Sequence, residues 1–149
     1  MIEQTLFIVK PEAFVRRDEI VSYLEKHSDL KVCIYRDIIL SLDDIENIYL
    51  DDKDSELMFA IQQHLKNKMV RIGLIEGENA IQEFIFFCGE SYNNSLCSEG
   101  TLRRVFGLEN GKYYGSVFYY LNGIHKASSF EAPRAVKWFR DKFKGNDSF

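Results

Sequence analysis

Apolar positions along the chain alternate between a two-residue and a helical period, and the switches between them predict the order of elements. Thr5 to Val9 is a short apolar run closed by Lys10-Pro11, the pattern of a buried strand leaving into a turn. From Asp18 to Lys26 the spacing puts Ile20, Val21 and Leu24 on one helical face. Leu30 to Leu40 (LKVCIYRDIIL) is rich in β-branched residues and long enough for a second strand. Ser41 with Asp44 three residues on is a helix-start signature, followed by Ile45, Ile48 and Tyr49. The polar cluster DDKDS, Asp51 to Ser55, then separates a second helix in which Leu57, Met58, Ile61 and Leu65 recur at helical spacing.

Met69 to Gly77 reads as a strand and Asn79 to Cys88 as a largely apolar helix, followed by a polar loop from Gly89 to Gly100 and the segment TLRRVF. Asn110-Gly111 is a favourable type I′ hairpin turn, and Gly115 to Leu121 (GSVFYYL) looks like a further strand. The last helix spans Glu131 to Phe143. Pro133 belongs in its first turn, because deeper inside it would remove a backbone hydrogen bond. This order predicts an α+β sandwich, one sheet covered by helices. With no internal repeat, linker or low-complexity segment, residues 1–149 read as one domain.

Composition narrows the classes. With 46% hydrophobic residues the chain can bury a sizeable core. A net charge of −4 and a pI near 5.4 argue against general affinity for nucleic acid, and no basic patch supports it. Cys33, Cys88 and Cys97 are an odd number without a CxxC spacing, which points to reduced thiols rather than a disulfide framework or zinc knuckle. No stretch has the make-up of a signal peptide or a membrane span, so a soluble cytoplasmic protein without a membrane partner is expected.

The candidate chemistry starts from what is missing: there is no GxxxxGK[ST] loop, no GxGxxG after a strand and no HExxH. Were the chain to handle a nucleotide, single side chains from several elements would hold its phosphates. Lys10 after the first strand, Arg103 and Arg104 in TLRRVF, and Lys126 beside His125 carry the needed charge. Among the histidines, His27 suits a helix C-terminus. His64 falls opposite the Leu57, Ile61 and Leu65 face, which predicts exposure. His125 lies on neither an apolar helix face nor an obvious strand interior.

Taken in order, TLFIVKPEAF, GENAI, EGTLRRVFG and NGIHKASS resemble the nucleoside diphosphate kinase family, from about Glu3 to Phe139. The resemblance implies a ferredoxin-like α+β sandwich, its antiparallel sheet covered by helices. It also implies phosphoryl transfer in two steps, from a nucleoside triphosphate to a histidine and then to a nucleoside diphosphate. The histidine must attack as a neutral imidazole, and a metal, Mg²⁺ carried on the nucleotide phosphates, bridges the others. His125 then matches the phosphorylated histidine and Asn122 the asparagine three before it. Lys10 and Arg103 match phosphate-binding cations, and Tyr49 a tyrosine near the phosphates. Ser91 stands for a phosphate-contacting threonine, and Leu57 for a phenylalanine that stacks on the base. The resemblance also implies ATP and other nucleoside di- and triphosphates as partners and a homo-oligomer, typically a hexamer.

At three places the chain lacks a charged residue of the family pattern. Ile85 occupies the position of a second phosphate-binding arginine, where packing is its natural role. Ser128 replaces an aspartate near the metal's waters. The glutamate that orients the histidine falls on Ala135 or Val136. Arg104 or Lys126 are candidates to replace the missing charge. The connection from Phe106 to His125 is long, and a hairpin covering the sheet is expected there. Two readings follow: an active kinase, or a catalytically weakened nucleotide-binding or regulatory relative. An unrelated ferredoxin-like effector-binding domain would explain the elements but not the ordered motifs.

Overall fold

Alternation along the first strand decides how the layers stack. In a computed structural model, which describes residues 1–144, β1 (Ile2–Val9) buries Leu6 and Ile8 on one face and Phe7 and Val9 on the other. A strand buried on both faces belongs in the middle of a sheet with layers on either side. β1 lies between β3 (Met69–Glu78) and the short β6 (Ile124–Lys126), and β2 (Lys31–Ile39) forms the outer edge beside β3. All three pairings are antiparallel.

Leu6, Ile8, Val70, Ile72 and Leu74 pack under α2 (Leu42–Ile48), α3 (Glu56–Leu65) and α6 (Glu131–Lys142). Phe7, Val9 and Ile75 pack under α1 (Arg17–His27), α4 (Ala80–Cys88) and α5 (Leu102–Phe106). The expected α+β sandwich is therefore present, with helices on both faces of the sheet. Local signals set the helix ends. Ser41 and Asp44 form the predicted reciprocal capping box at α2, and Pro133 is the third residue of α6.

Three expectations change. The hairpin turn is not at Asn110-Gly111, because β4 (Gly111–Tyr114) pairs with β5 (Val117–Tyr120) in the register Tyr114 to Val117. The two-residue loop is Gly115-Ser116, and Gly115 takes a positive φ of 62° at the first central position. A II′ turn uses glycine at that position. The hairpin does not cover the sheet either. It forms a separate two-stranded ribbon whose Tyr114 bonds to His64 on α3. Finally, His125 sits on a strand, β6, whose three residues pair with β1 through Phe7, Ile8 and Val9. A strand that short is held by its tertiary partner and leaves no periodicity to read.

Candidate active site

The C-terminal end of β1 delivers Lys10, and the antiparallel neighbour β6 delivers His125. The Lys10 amide donates to the Gly123 carbonyl at 2.8 Å, which fixes the loop carrying Asn122 directly beside the lysine. Arg103 arrives from α5, whose first turn is capped by the Thr101 hydroxyl. Tyr49 follows the last turn of α2. All of these side chains line one cleft of about 570 Å³.

One end of the cleft is cationic. Lys10 is buried, and its ammonium donates to the Tyr119 hydroxyl at 2.9 Å and lies 3.5 Å from the Glu12 carboxylate. Burial lowers its pKa to about 8, with Arg103 acting in the same direction and Glu12 opposing both. The buried Arg103 guanidinium donates to the carbonyls of Ile124 and Ser91, each at 3.0 Å, so its plane is fixed by backbone. Lys126 is half-buried, and its ammonium donates to the carbonyls of Ile85 and Gly89 at the end of α4. The opposite end is apolar, with Leu57 and Ile61 of α3 facing Phe118 and Tyr120 of the hairpin.

His125 lies among the cations, 8% exposed, with the Tyr49 ring 4.1 Å away, centre to centre. Burial holds its pKa well below the usual histidine range, and Arg103, Lys10 and Lys126 add to the effect. The imidazole is therefore neutral near pH 7. Its Nε2 is sealed without a hydrogen-bond partner, so Nδ1 is the nitrogen left to face the cleft. The Tyr49 hydroxyl and the Asn122 Oδ1 are likewise buried without partners. An unpaired buried oxygen is costly, and the two on Tyr49 and Asn122, residues that line the cleft, mark groups arranged for something that binds there.

The sequence matches the family described as nucleoside diphosphate kinase over residues 3–142. The chain belongs to the nucleoside diphosphate kinase family. It is similar to the nucleoside diphosphate kinase of Glaesserella parasuis, 28% identical over 142 residues covering 93% of this chain and 95% of that one. Among solved structures it is similar to the nucleoside-diphosphate kinase of Borrelia burgdorferi, a transition-state mimic with bound vanadate and ADP. That likeness has a TM-score of 0.77 and 26% identity, over 99% of this chain and 90% of that one. The nucleoside diphosphate kinase of Aquifex aeolicus also has a TM-score of 0.77, at 17% identity and full coverage of both chains, and shares the fold.

Of the residues singled out by the family's motifs, Lys10, Tyr49, Leu57, Arg103, Asn122, His125 and Lys126 come together in the cleft. Ser91 and Arg104 are not among the residues that line it. The Ser91 hydroxyl accepts from the Asn93 amide within its own loop, and the neighbouring Tyr92 lines the cleft instead. The Arg104 guanidinium is spent on the carbonyls of Ser95 and Cys97, one helical position away from Arg103 and on a different side. Of the two cations proposed to compensate for the lost arginine, only Lys126 reaches the site. Ile85 lines the cleft too and is only half-buried, so the substitution there places an apolar patch on the cleft wall rather than in the core.

Several residues in and beside the cleft were not among those the sequence singled out. Tyr119 is buried at the centre of the hairpin's FYY run and bonds Lys10. Period-two alternation could have marked it as the inward residue. Glu12 and Glu131 needed tertiary structure. The Glu131 carboxylate accepts from the amides of Ser128 and Asp51, and burial raises its pKa. Ala135 is sealed in the core and Val136 packs against it, so neither position offers an acid to His125. His64, predicted to be exposed, is 3% exposed. A helical wheel scores one face, whereas α3 is packed both by the sheet layer and by the hairpin.

Proposed function

We propose that this nucleoside diphosphate kinase family member transfers the γ-phosphoryl group of a nucleoside triphosphate to a nucleoside diphosphate through a phosphohistidine on His125. The observation that carries the reading is a neutral imidazole set among Lys10, Arg103 and Lys126, with unpaired oxygens on Tyr49 and Asn122 of the same cleft. The Nδ1 lone pair attacks the γ-phosphorus while the bond to the β–γ bridging oxygen breaks, and its electron pair leaves with the diphosphate. In the return step an oxygen of the second diphosphate attacks phosphorus and the N–P electron pair goes back to Nδ1. Lys10 and Arg103 stabilise charge on the transferring oxygens, the largest usual contribution in such chemistry. Tyr49 and Asn122 offer their free polar atoms to phosphate and sugar, and the apolar end beside Leu57 receives the base.

A divalent metal, read as Mg²⁺, fits as part of the substrate. Among the described residues no group of three or more His, Cys, Asp or Glu could hold one alone. The cleft does include Asp52 and Glu131, carboxyl groups whose pKa burial raises and which a cation would relieve. The metal would supply charge neutralisation on the phosphates. Among the described residues no helix is long and apolar enough to cross a membrane, and a cytoplasmic setting is the reading adopted. A homo-oligomer, taken as a hexamer, fits the open β2 edge, where Tyr35 and Ile39 are exposed.

Incubation with γ-labelled ATP tests the central claim. Label is expected on the protein, absent from His125→Ala and discharged by added nucleoside diphosphate. Nucleotide binding without label would leave the weakened, non-transferring relative as the better description. The retained histidine and family membership favour the enzyme.

A further inference from the structure

Next to Lys10, the side chains of Glu12, His64 and Tyr114 form a polar chain that the transfer reaction does not itself use. Glu12, on the 3₁₀-helix Pro11–Arg16 just after β1, has one carboxylate oxygen 2.7 Å from His64 Nε2. Its other oxygen accepts from the Gly123 amide at 3.0 Å and lies 3.5 Å from the Lys10 ammonium. His64 Nδ1 is 2.9 Å from the Tyr114 hydroxyl on β4. The Lys10, Glu12 and His64 side chains are each no more than 5% exposed.

Donor and acceptor chemistry fixes the direction of this chain. A carboxylate only accepts, so the proton between Glu12 and His64 sits on Nε2. In a neutral ring Nδ1 then accepts from the Tyr114 hydroxyl. Each of these groups thereby has a partner: tyrosine to histidine, histidine to carboxylate, and carboxylate to both lysine and Gly123, which lies between Asn122 and the strand that carries His125. Networks of this kind in a low-dielectric interior hold one geometry, because any break strands a polar group.

We propose that His64 is a positioning residue. By holding Glu12 with one ring nitrogen and Tyr114 with the other, it fixes the carboxylate that orients Lys10 and Gly123, and it ties that arrangement to the inserted hairpin. The proposal rests on the phosphoryl-transfer reading above. Neither His64 nor Tyr114 lines the cleft, so neither acts by touching substrate. The groups that face His64 are Glu12 from the 3₁₀-helix, Tyr114 from β4, Tyr119 from β5, Lys10 beyond β1 and Lys68 beyond α3. Glu12 is the one anion among them, and it is also the principal group that keeps the buried Lys10 charged. A Glu12 no longer held by His64 supports Lys10 less well, so Lys10 loses its proton at lower pH.

The test compares two polar variants of the full chain. In His64→Gln the amide reaches the place of Nε2 and can still donate to Glu12, whereas His64→Asn ends near the place of Nδ1 and cannot. The readout is kcat/KM for phosphoenzyme formation from ATP across pH 6 to about 10, with thermal midpoints alongside. In His64→Asn the alkaline limb is expected to move down by roughly half a pH unit or more, an about threefold change in proton affinity. In His64→Gln the limb is expected to coincide with wild type. An unmoved limb in a folded His64→Asn, or equal movement in both variants, overturns the proposal even if both melt earlier. Should His64→Asn not fold, His64→Leu, apolar and of similar size, takes its place: a displaced limb supports the proposal, and a coincident one overturns it. A wild-type chain that takes up no label defeats the transfer reading itself, which is a separate outcome.

Discussion

The Tyr49 ring lies against His125 with centroids 4.1 Å apart and planes at 41°, while its hydroxyl is buried with no partner in the protein. Ring and hydroxyl therefore have separate consequences. Tyr49→Phe keeps the packing on His125 and removes a polar atom that gains nothing in the empty state, so the thermal midpoint is expected to hold or rise slightly. If the hydroxyl meets phosphate, its loss removes a hydrogen bond to a charged group, about 1.5–3 kcal/mol, and label uptake slows by roughly tenfold to a hundredfold. Thermal melting and single-turnover labelling on the same preparation check both halves.

The activity of the site should be flat where an ordinary histidine titrates. In the proposed transfer the reactive form of His125 is the neutral ring, and burial with three nearby cations keeps its pKa well below the usual range. Phosphoenzyme formation is expected to stay level as pH falls from 7 to 6, across the window in which an unperturbed imidazole, pKa near ~6.5, would lose activity. The alkaline side behaves oppositely. In the proposed reaction Lys10 binds phosphate in its charged form, and burial lowers its pKa to about 8, so the rate is expected to fall as pH rises through that value. A pH–rate profile whose acid limb lies at an ordinary histidine pKa would contradict this account.

Ile85 and Lys126 meet at one corner of the cleft. The Lys126 ammonium bonds to the Ile85 carbonyl, so an apolar side chain and the cation that serves the cleft share a corner of the site. Removing the charge with Lys126→Gln is expected to slow transfer by about a hundredfold, in line with losing one preorganised electrostatic contact. Ile85→Arg points a guanidinium along the half-buried direction of Ile85 and is expected to raise turnover. Steady-state kinetics of the two variants and their combination measures whether the charges substitute for one another. Full additivity would mean that they act at different places.

How far the sequence could be read depended on how local each signal was. The capping box at Ser41, the helical periods of α1, α3 and α6, and the doubly buried β1 were legible because the residues that make them are neighbours in the chain. Lys10, Arg103, Asn122 and His125 were legible through ordered motifs. The hairpin turn was misplaced because Asn110-Gly111 and Gly115-Ser116 both suit a two-residue loop, and only strand pairing chooses between them. Arg104 and Arg103 are adjacent cations that nothing local distinguishes, yet the helix sends one to the cleft and the other to a loop. His64 was misjudged for the same kind of reason, since its partners lie 52 and 50 positions away.

The unmade bonds at Tyr49 and Asn122 also bear on how long the folded chain survives. A molecule that binds only the native form adds to its stability through mass action, about 2.7 kcal/mol at a hundred times its dissociation constant. Nucleotide supply would then govern the persistence of this protein as well as its throughput. In a starved cell the chain would unfold more often and meet proteases sooner, so its abundance would fall together with demand for the reaction.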